Sequence, residues 1–167
     1  MGRDIGYDIG DDRAEPARDG EIEDLLRRTF VASGFTDPER AASLFAAQAV
    51  RQRGTLFLAR ERADRAVVGM VMAVPPTSPA RRIAASDEVE LHLLAVTPDR
   101  QGAGIGMALI DAVLSSARRG SYRRVVLWTQ AAMHTAHRLY ERAGFVRAPH
   151  RDWERHGETV LVYERGL

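Results

Sequence analysis

One glycine-rich stretch constrains this chain more than any other segment. VTPDRQGAGIGMAL, residues 96–109, places Gly102, Gly104 and Gly106 within five positions, directly after an apolar run and directly before apolar residues at helical spacing. Because glycine weakens regular structure, three of them in a turn between a strand and a helix indicate that side chains are excluded there. Such a turn also exposes backbone N–H groups at the positive end of the helix dipole, which favours a bound anion.

Helical spacing predicts two helices in the first third of the chain. The first lies between about residue 20 and Gly34. The second begins at a capping box formed by Thr36 and Glu39, and we expect it to run unbroken to about Arg53. Residues 1–19 are expected to form a flexible segment or a short first strand, and residues 20–167 a single domain.

The rest of the chain alternates strand and helix patterns. Strands are predicted at TLFLARE (55–61), AVVGMVMAVP (66–75), EVELHLLAV (88–96), YRRVVLWT (122–129), GFVRAP and TVLVYER, with one helix ending near Arg119 and another over AAMHTAHRLYERAG. The expected fold class is therefore α/β of the α+β kind, a mixed central sheet of about six to seven strands flanked by about four helices. In the 88–96 strand, alternation predicts two opposite faces: Val89, Leu91 and Leu93 on one, Glu88, Glu90 and His92 on the other.

Composition excludes several classes of function. The sequence contains no cysteine, which excludes disulfides, thiolate nucleophiles and cysteine-bound metals. The net charge is only +1 and no face is visibly basic, which argues against a nucleic-acid partner. No apolar stretch reaches the ~20 residues of a membrane span, and the first residues lack the basic start and apolar core of a signal peptide. We therefore expect a cytoplasmic protein without a membrane partner.

Three phosphate-binding patterns can be tested against the glycine turn. The Walker pattern fails because no Lys-Ser/Thr pair follows the glycines. The dinucleotide pattern fails because its last glycine would fall on Met107. The third pattern, Gln/Arg-x-x-Gly-x-Gly/Ala, is matched by Gln101, Gly104 and Gly106.

This third match resembles the coenzyme A-binding motif of the GCN5-related N-acetyltransferases, the GNAT superfamily. LYERAGF, residues 139–145, is similar to that family's downstream signature, in which a Tyr closes a helix before a Gly-Phe strand start. The two motifs occur in the family's order with one predicted strand between them. The resemblance covers residues 54–165 well and implies the GNAT fold, in which two central strands splay apart to form the coenzyme A cleft.

The resemblance implies acetyl-CoA as the cosubstrate, with direct transfer of its acetyl group to a primary amine in a ternary complex and no metal. The pyrophosphate would lie on the turn and the pantetheine arm along the splayed strands, with LWTQ, residues 127–130, as the opposing wall. The implied coenzyme-binding residues are Leu94, Ala95, Val96, Gln101, Gly102, Ala103, Gly104, Ile105, Gly106, Met133, Ala136 and Tyr140.

Candidate catalytic residues follow from the same resemblance and from the chemistry of amine acetylation, which needs a base for the amine and an acid for the departing thiolate. Tyr140 resembles the family's general acid. Glu90, six residues before Val96, is the leading candidate for the base. His92 is the second, because an imidazole suits proton transfer near neutral pH. Glu88 is a weaker candidate. A bulge in this strand, which the resemblance to the family allows, would change which face these residues occupy.

Several points depart from the family pattern or stay open. Met133 stands where many relatives carry an Asn that bonds the pantetheine arm, which puts that contact in doubt. His134 and His137 are three residues apart, but no carboxylate is arranged as a third metal ligand, so we expect solvent- or coenzyme-facing histidines. A catalytically silent acyl-CoA-binding or regulatory module on the same fold is the alternative function. The sequence does not distinguish among small amines, amino acids, antibiotics and protein N-termini as the acceptor. Because many relatives form homodimers, the resemblance allows a homodimer as the partner state of this chain.

Overall fold

Eight strands form one mixed sheet in the computed structural model, which describes residues 6–167. The strands are β1 (Tyr7–Asp11), β2 (Thr55–Glu61), β3 (Val67–Val74), β4 (Glu88–Val96), β5 (Arg124–Gln130), β6 (Val146–Arg147), β7 (Trp153–Arg155) and β8 (Glu158–Gly166). The helices are α1 (Asp19–Leu26), α2 (Pro38–Leu44), α3 (Ala47–Arg51), α4 (Ile105–Arg119) and α5 (His134–Arg142). The first five residues of the predicted N-terminal segment lie outside the described residues.

The strand order is β1-β2-β3-β4-β5-β8-β6, and β7 also pairs with β8. All pairs are antiparallel except β4 with β5. The predicted α/β class is confirmed. The sheet has more strands than the six to seven expected, because Trp153–Arg155 forms a short hairpin with the start of β8.

Helices cover both faces of the sheet, and each face has its own apolar core. On one face α4 and α5 pack on residues such as Val89 and Leu91 of β4. On the other face α1, α2 and α3 pack on β2, β3 and part of β4. Within residues 6–167, no helix is long and apolar enough to cross a membrane.

The prediction of one unbroken second helix is wrong. The helix ends after Leu44 and α3 restarts at Ala47, whose N–H donates to Oε1 of Glu23 at 3.1 Å. This carboxylate of α1 satisfies a donor that the interrupted helix would otherwise leave free. The N-cap is Asp37 rather than Thr36, with Asp37 Oδ1 accepting from the N–H of Glu39 at 2.8 Å.

A bulge in β4 overturns one predicted side-chain position. Register with β3 changes between His92 and Ala95, where β4 has one residue more than its partner, and Leu93 takes a φ of 52°. Leu93 therefore packs with the α1–α3 core instead of sharing a face with Val89 and Leu91. Beyond the bulge, it is Leu94 and Val96 that pack on the α4 side.

Candidate functional site

A gap opens between β4 and β5 at their carboxyl ends. Parallel pairing runs from Glu88 opposite Arg124 to Leu91 opposite Leu127 and then stops. β4 continues to Val96 against β3, while β5 continues to Gln130 against β8. The two central strands therefore splay apart, and the carboxyl ends of such parallel strands are a common ligand site in α/β sheets.

The glycine turn lies at the mouth of this gap, between β4 and α4. The N–H groups of residues 102–107 donate to no acceptor within residues 6–167. Six consecutive donors are thus free at the N-terminus of a fifteen-residue helix. This arrangement suits a phosphate or pyrophosphate, which would accept from the N–H groups and interact favourably with the helix dipole.

The three glycines have two different structural reasons. Gly102 and Gly104 take left-handed φ values of 81° and 86°, with no atom within 4 Å of an added Cβ. Gly106 has an ordinary helical backbone, but its Cβ would lie 2.8 Å from Cδ2 of Leu139 on α5. Gly106 therefore allows α4 and α5 to approach each other. The turn is closed by the Gln101 side chain, whose Nε2 donates to the carbonyl of Val96 at 3.2 Å.

Tyr140 lies buried on α5 between two aromatic rings. Its ring centroid is 6.1 Å from that of Phe145 and 6.0 Å from that of Tyr163, and its hydroxyl donates to no acceptor within the described residues. Burial, with a smaller contribution from Tyr163, raises the pKa of Tyr140 well above that of a free phenol. The hydroxyl therefore keeps its proton throughout the neutral range.

The start of α5 is tied to the end of β5. Thr129 Oγ1 lies 3.7 Å from the Met133 sulfur, and His137 Nε2 lies 3.0 Å from the carbonyl oxygen of Gln130. His134 is exposed, as one of the two alternatives expected. His137 is buried and does not face solvent, so facing the coenzyme is the alternative that stays a prediction for it. Burial lowers the pKa of His137. No cluster of three or more metal-ligating side chains occurs within residues 6–167.

Glu90 and His92 form a buried pair on the α1–α3 face of β4. Glu90 Oε1 accepts the consecutive N–H groups of residues 82, 83 and 84 at 2.7, 2.5 and 2.7 Å, and Oε2 lies 2.6 Å from His92 Nε2. Burial alone would raise the pKa of Glu90, but the hydrogen bonds from His92 and from the Ala84 and Ile83 N–H groups lower it overall. Glu90 is fully buried and ionised, and His92 is the member of the pair nearer to solvent.

Glu88, the weaker candidate for the base, is fixed in an ion-pair network. Its carboxylate lies 2.8 Å from Nη2 of Arg151 and 3.1 Å from Nη1 of Arg124, and it accepts the N–H of Ala85 at 2.9 Å. Arg151 also donates to the carbonyl of Ile83 at 2.8 Å. This network holds the 81–87 loop against the sheet, and with it the donors that surround Glu90.

Two tryptophans extend the site, and the sequence interpretation missed their role. The Trp128 ring on β5 lies 5.9 Å from the His92 ring and 5.7 Å from the Trp153 ring on β7. The Arg155 guanidinium lies 5.8 Å from the centre of the Trp128 ring. The sequence after Trp153 could have predicted its strand, because Gly157 lies in a two-residue turn between two short segments, as is typical of a hairpin.

The structure brings the predicted coenzyme residues to one end of the sheet. Leu94, Ala95 and Val96 lie at the end of β4, beyond its pairing with β5. Residues 101–106 form the turn and the first residues of α4, and Met133, Ala136 and Tyr140 lie at the start and middle of α5. A splayed parallel pair beside a donor-lined turn defines the class: an α/β fold whose central strands separate at a turn suited to a phosphate group.

Residues 20–145 match the sequence model of the Acetyltransferase (GNAT) family, and the chain belongs to that family. A mycothiol acetyltransferase of Cellulomonas flavigena is 33% identical over 134 residues, which are 77% of this chain and 38% of that relative. The chain thus spans less than half the length of this curated relative.

Solved structures share the whole fold. An acetyltransferase from Streptococcus agalactiae superposes with a TM-score of 0.71 at 20% identity, over 97% of this chain and 99% of that one. A GNAT family acetyltransferase from Elizabethkingia anophelis, solved with acetyl-CoA bound, gives a TM-score of 0.66 at 18% identity, over 97% and 99%. The predicted GNAT fold is confirmed.

Proposed function

We propose that the protein is an acetyl-CoA-dependent N-acetyltransferase that transfers the acetyl group directly to a primary amine. The observation that carries this proposal is the row of free N–H groups at residues 102–107, which opens beside the gap between β4 and β5. Membership of the acetyltransferase family supports it, as does the neighbour that was solved with acetyl-CoA bound.

In this proposal the coenzyme lies along the gap. The turn from Gln101 to Gly106 holds the pyrophosphate. The pantetheine arm meets residues 94–96 on the edge of β4 that no longer pairs with β5. Met133 and Ala136 line the arm from the α5 side, and residues 127–130 form the opposite wall. Met133 contributes packing, since its thioether is a weak hydrogen-bonding group.

The base in this proposal is the Glu90–His92 pair acting as a unit. Glu90 has both oxygens occupied, one by three N–H groups and one by His92, so it is poorly placed to take a proton itself. An ionised Glu90 accepts the Nε2 proton of His92 and so fixes the tautomer in which Nδ1 carries the lone pair. His92 Nδ1 then removes the proton of the amine.

Tyr140 serves as the acid. The amine nitrogen forms a bond to the acetyl carbon as the carbon–sulfur bond breaks, and the Tyr140 hydroxyl protonates the departing thiolate. A buried tyrosine that holds its proton and makes no hydrogen bond within residues 6–167 is available for this role.

The test measures free coenzyme A released from acetyl-CoA in the presence of a panel of amines, amino acids and peptides, together with calorimetric binding of acetyl-CoA. We expect binding and amine-dependent release. Binding without release on any acceptor would instead favour a silent acyl-CoA-binding module. Absence of binding would refute the placement of the coenzyme.

A further inference from the structure

Three arginines whose positive charges act on one another lack an acidic partner. Arg155 lies over Trp128, Arg82 belongs to the loop that surrounds Glu90, and Arg53 donates to the carbonyl of Leu44. None of them has a carboxylate within ion-pair distance among residues 6–167. Arg155 and Arg53 are also partly buried, which makes a missing counter-charge more costly.

Most partly buried arginines elsewhere among residues 6–167 are paired. Ion pairs with carboxylates join Arg51 to Asp12 and Asp19, Arg60 to Glu15, Arg147 to Asp152, and Arg124 and Arg151 to Glu88 and Glu164. Arg165 is an exception, since it is partly buried and its Nη1 donates to the carbonyl of Ala143. Arg53, Arg82 and Arg155 differ from Arg165 because their positive charges act on one another.

These cations also repel one another. Burial lowers the pKa of Arg155, and the positive charges of Arg40 and Arg82 lower it further. Burial and the charge of Arg82 lower the pKa of Arg53 in the same way. Guanidinium groups held together without a counter-charge are unfavourable, and a bound anion would remove that cost.

Independent evidence for a ligand comes from two unused donors beside this cluster. The indole Nε1 atoms of Trp128 and Trp153 are buried and have no hydrogen-bond partner among the described residues. Unpaired buried donors are rare in folded proteins and call for an explanation. The Trp128 ring contacts the His92 ring edge-on, and the Trp153 ring contacts Trp128 in the same way. Neither tryptophan belongs to the core formed by α1, α2 and α3.

We propose that the acceptor is of the amino acid class, with its amine at His92, its carboxylate at Arg155 and Arg82, and an apolar side chain against the two tryptophans. This inference rests on the proposed acetyl transfer and deepens it. The guanidinium groups match a carboxylate in charge and in donor geometry, and the indole donors can serve its remaining lone pairs. A neutral amine of the same shape would leave all of these groups unsatisfied.

The kinetic test compares L-leucine with L-leucinamide as acceptors. We expect the carboxylate to be favoured by about tenfold or more in kcat/KM, since charge-assisted hydrogen bonds are the strong ones. Arg155→Gln and Arg82→Gln should raise KM for leucine and erase this preference. Arg119→Gln, an exposed arginine on α4 at the opposite face, is the matched control and should keep it. Equal use of the two acceptors, or a preference that survives both variants, would overturn the proposal.

A binding test separates this inference from the proposed function. Trp128 and Trp153 are the two tryptophans of the chain, so fluorescence excited at long wavelength reports on this face directly. Titration with N-acetyl-L-leucine should change the emission at lower concentrations than N-acetyl-L-leucinamide, and Arg155→Gln should remove the difference. If no amine is acetylated but this difference is present, the anion site stands and the proposed function fails. If leucine and leucinamide are acetylated alike and the two ligands bind alike, the function stands and the anion site fails.

Discussion

Nε2 of His92 lies 2.6 Å from Oε2 of Glu90, while Oε1 of the same carboxylate accepts three consecutive backbone N–H groups. The three N–H groups fix which oxygen faces the imidazole. Burial raises the pKa of Glu90, but the hydrogen bonds from His92 and from the Ala84 and Ile83 N–H groups lower it overall and keep Glu90 ionised. A strand carboxylate is thereby converted into a fixed hydrogen-bond acceptor, and His92 becomes the group that can exchange a proton with an acceptor amine.

The first prediction concerns this pair. In Glu90→Gln the amide oxygen should stay with the three N–H donors, so the NH₂ group must face His92 and donate to Nε2. That contact would place the proton of His92 on Nδ1, the wrong nitrogen for a base. We expect kcat to fall by about 10²- to 10⁴-fold in both Glu90→Gln and His92→Gln, with acetyl-CoA affinity unchanged. Steady-state kinetics on one acceptor, with calorimetry, checks this.

The two variants should also be non-additive, because they disable one unit. The double variant should be no slower than the poorer single variant by more than about threefold. If His92→Gln is nearly normal while Glu90→Gln is inactive, Glu90 acts as the base directly or through water. If both are nearly normal, the protein contributes by positioning alone.

The second prediction tests Tyr140. Tyr140→Phe keeps the ring between Phe145 and Tyr163 and removes only the hydroxyl, so turnover should fall by about 10²- to 10⁴-fold with acetyl-CoA affinity little changed. Tyr163→Phe is the matched control, since its hydroxyl lies in the same cluster but bonds Glu141 at 3.4 Å. It should stay within about threefold of wild type, as expected for a partly exposed hydrogen bond. Equal effects of the two variants would reduce Tyr140 to a packing residue.

Tyr140 also predicts the alkaline side of the pH profile. Because burial raises its pKa, the phenol stays protonated on the alkaline side of neutrality, where a free phenol would begin to lose its proton. The acid should therefore cause no loss of kcat between about pH 7 and 9.5. A decline in that range that is absent from Tyr140→Phe would show that the phenol ionises there.

The glycine turn gives the third prediction. An Asp at position 104 would strain a φ of 86° and add a negative charge beside the free N–H groups. Gly104→Asp should weaken acetyl-CoA binding by at least about tenfold, because the Asp carboxylate would repel the negatively charged pyrophosphate. Gly157→Asp, with a φ of 81° and equally open surroundings in the β7–β8 turn, controls for the strain and the charge. Isothermal calorimetry on both folded variants decides, and unchanged affinity in Gly104→Asp would place the coenzyme elsewhere.

Much of this fold could be predicted from local sequence patterns. The predicted strand at 88–96 coincides with β4, and the helix predicted to end near Arg119 ends there, because period and caps are written in neighbouring residues. Local patterns did not place the bulge at Leu93, since nothing in the neighbouring sequence distinguishes a leucine that adopts a positive φ. The restart of α3 at Ala47 depends on Glu23, a contact between distant residues.

In the candidate site, too, features set by neighbouring residues could be predicted and features set by contacts between distant residues could not. The glycine turn and Tyr140 belong to contiguous motifs and could be proposed from the sequence. The surroundings of Glu90 could not, because its hydrogen bonds come from an irregular loop whose conformation has no periodic signal. The position of Trp153 beside Trp128 depends on the pairing of β7 with β8, which only the tertiary structure defines.

The last prediction concerns the ion pairs that hold the loop around Glu90. Glu88 is nearly fully buried, and its pKa is lowered because hydrogen bonds from Arg151 and from the Ala85 N–H outweigh the opposing effect of burial. Arg151→Met leaves this carboxylate with Arg124 as its remaining ion-pair partner. The free energy of unfolding should drop by about 3 kcal/mol at pH 7, since removing one partner of a buried pair exposes the cost of the other.

The pH dependence of that loss gives the sharper test. A carboxyl group with a lowered folded pKa stabilises fully above its ordinary value of 4.5 and loses this contribution as the pH falls through the folded value. The difference between wild type and Arg151→Met should therefore be largest at neutral pH and shrink below about pH 4. Arg123→Met, which removes an exposed pair with Asp87, should cost no more than about 1 kcal/mol at either pH. Urea denaturation of wild type, Arg151→Met and Arg123→Met, at neutral pH and below about pH 4, measures these differences in the free energy of unfolding. A pH-independent loss in Arg151→Met would mean that Arg151 stabilises the loop by packing and by its bond to the Ile83 carbonyl, and not through the charge of Glu88.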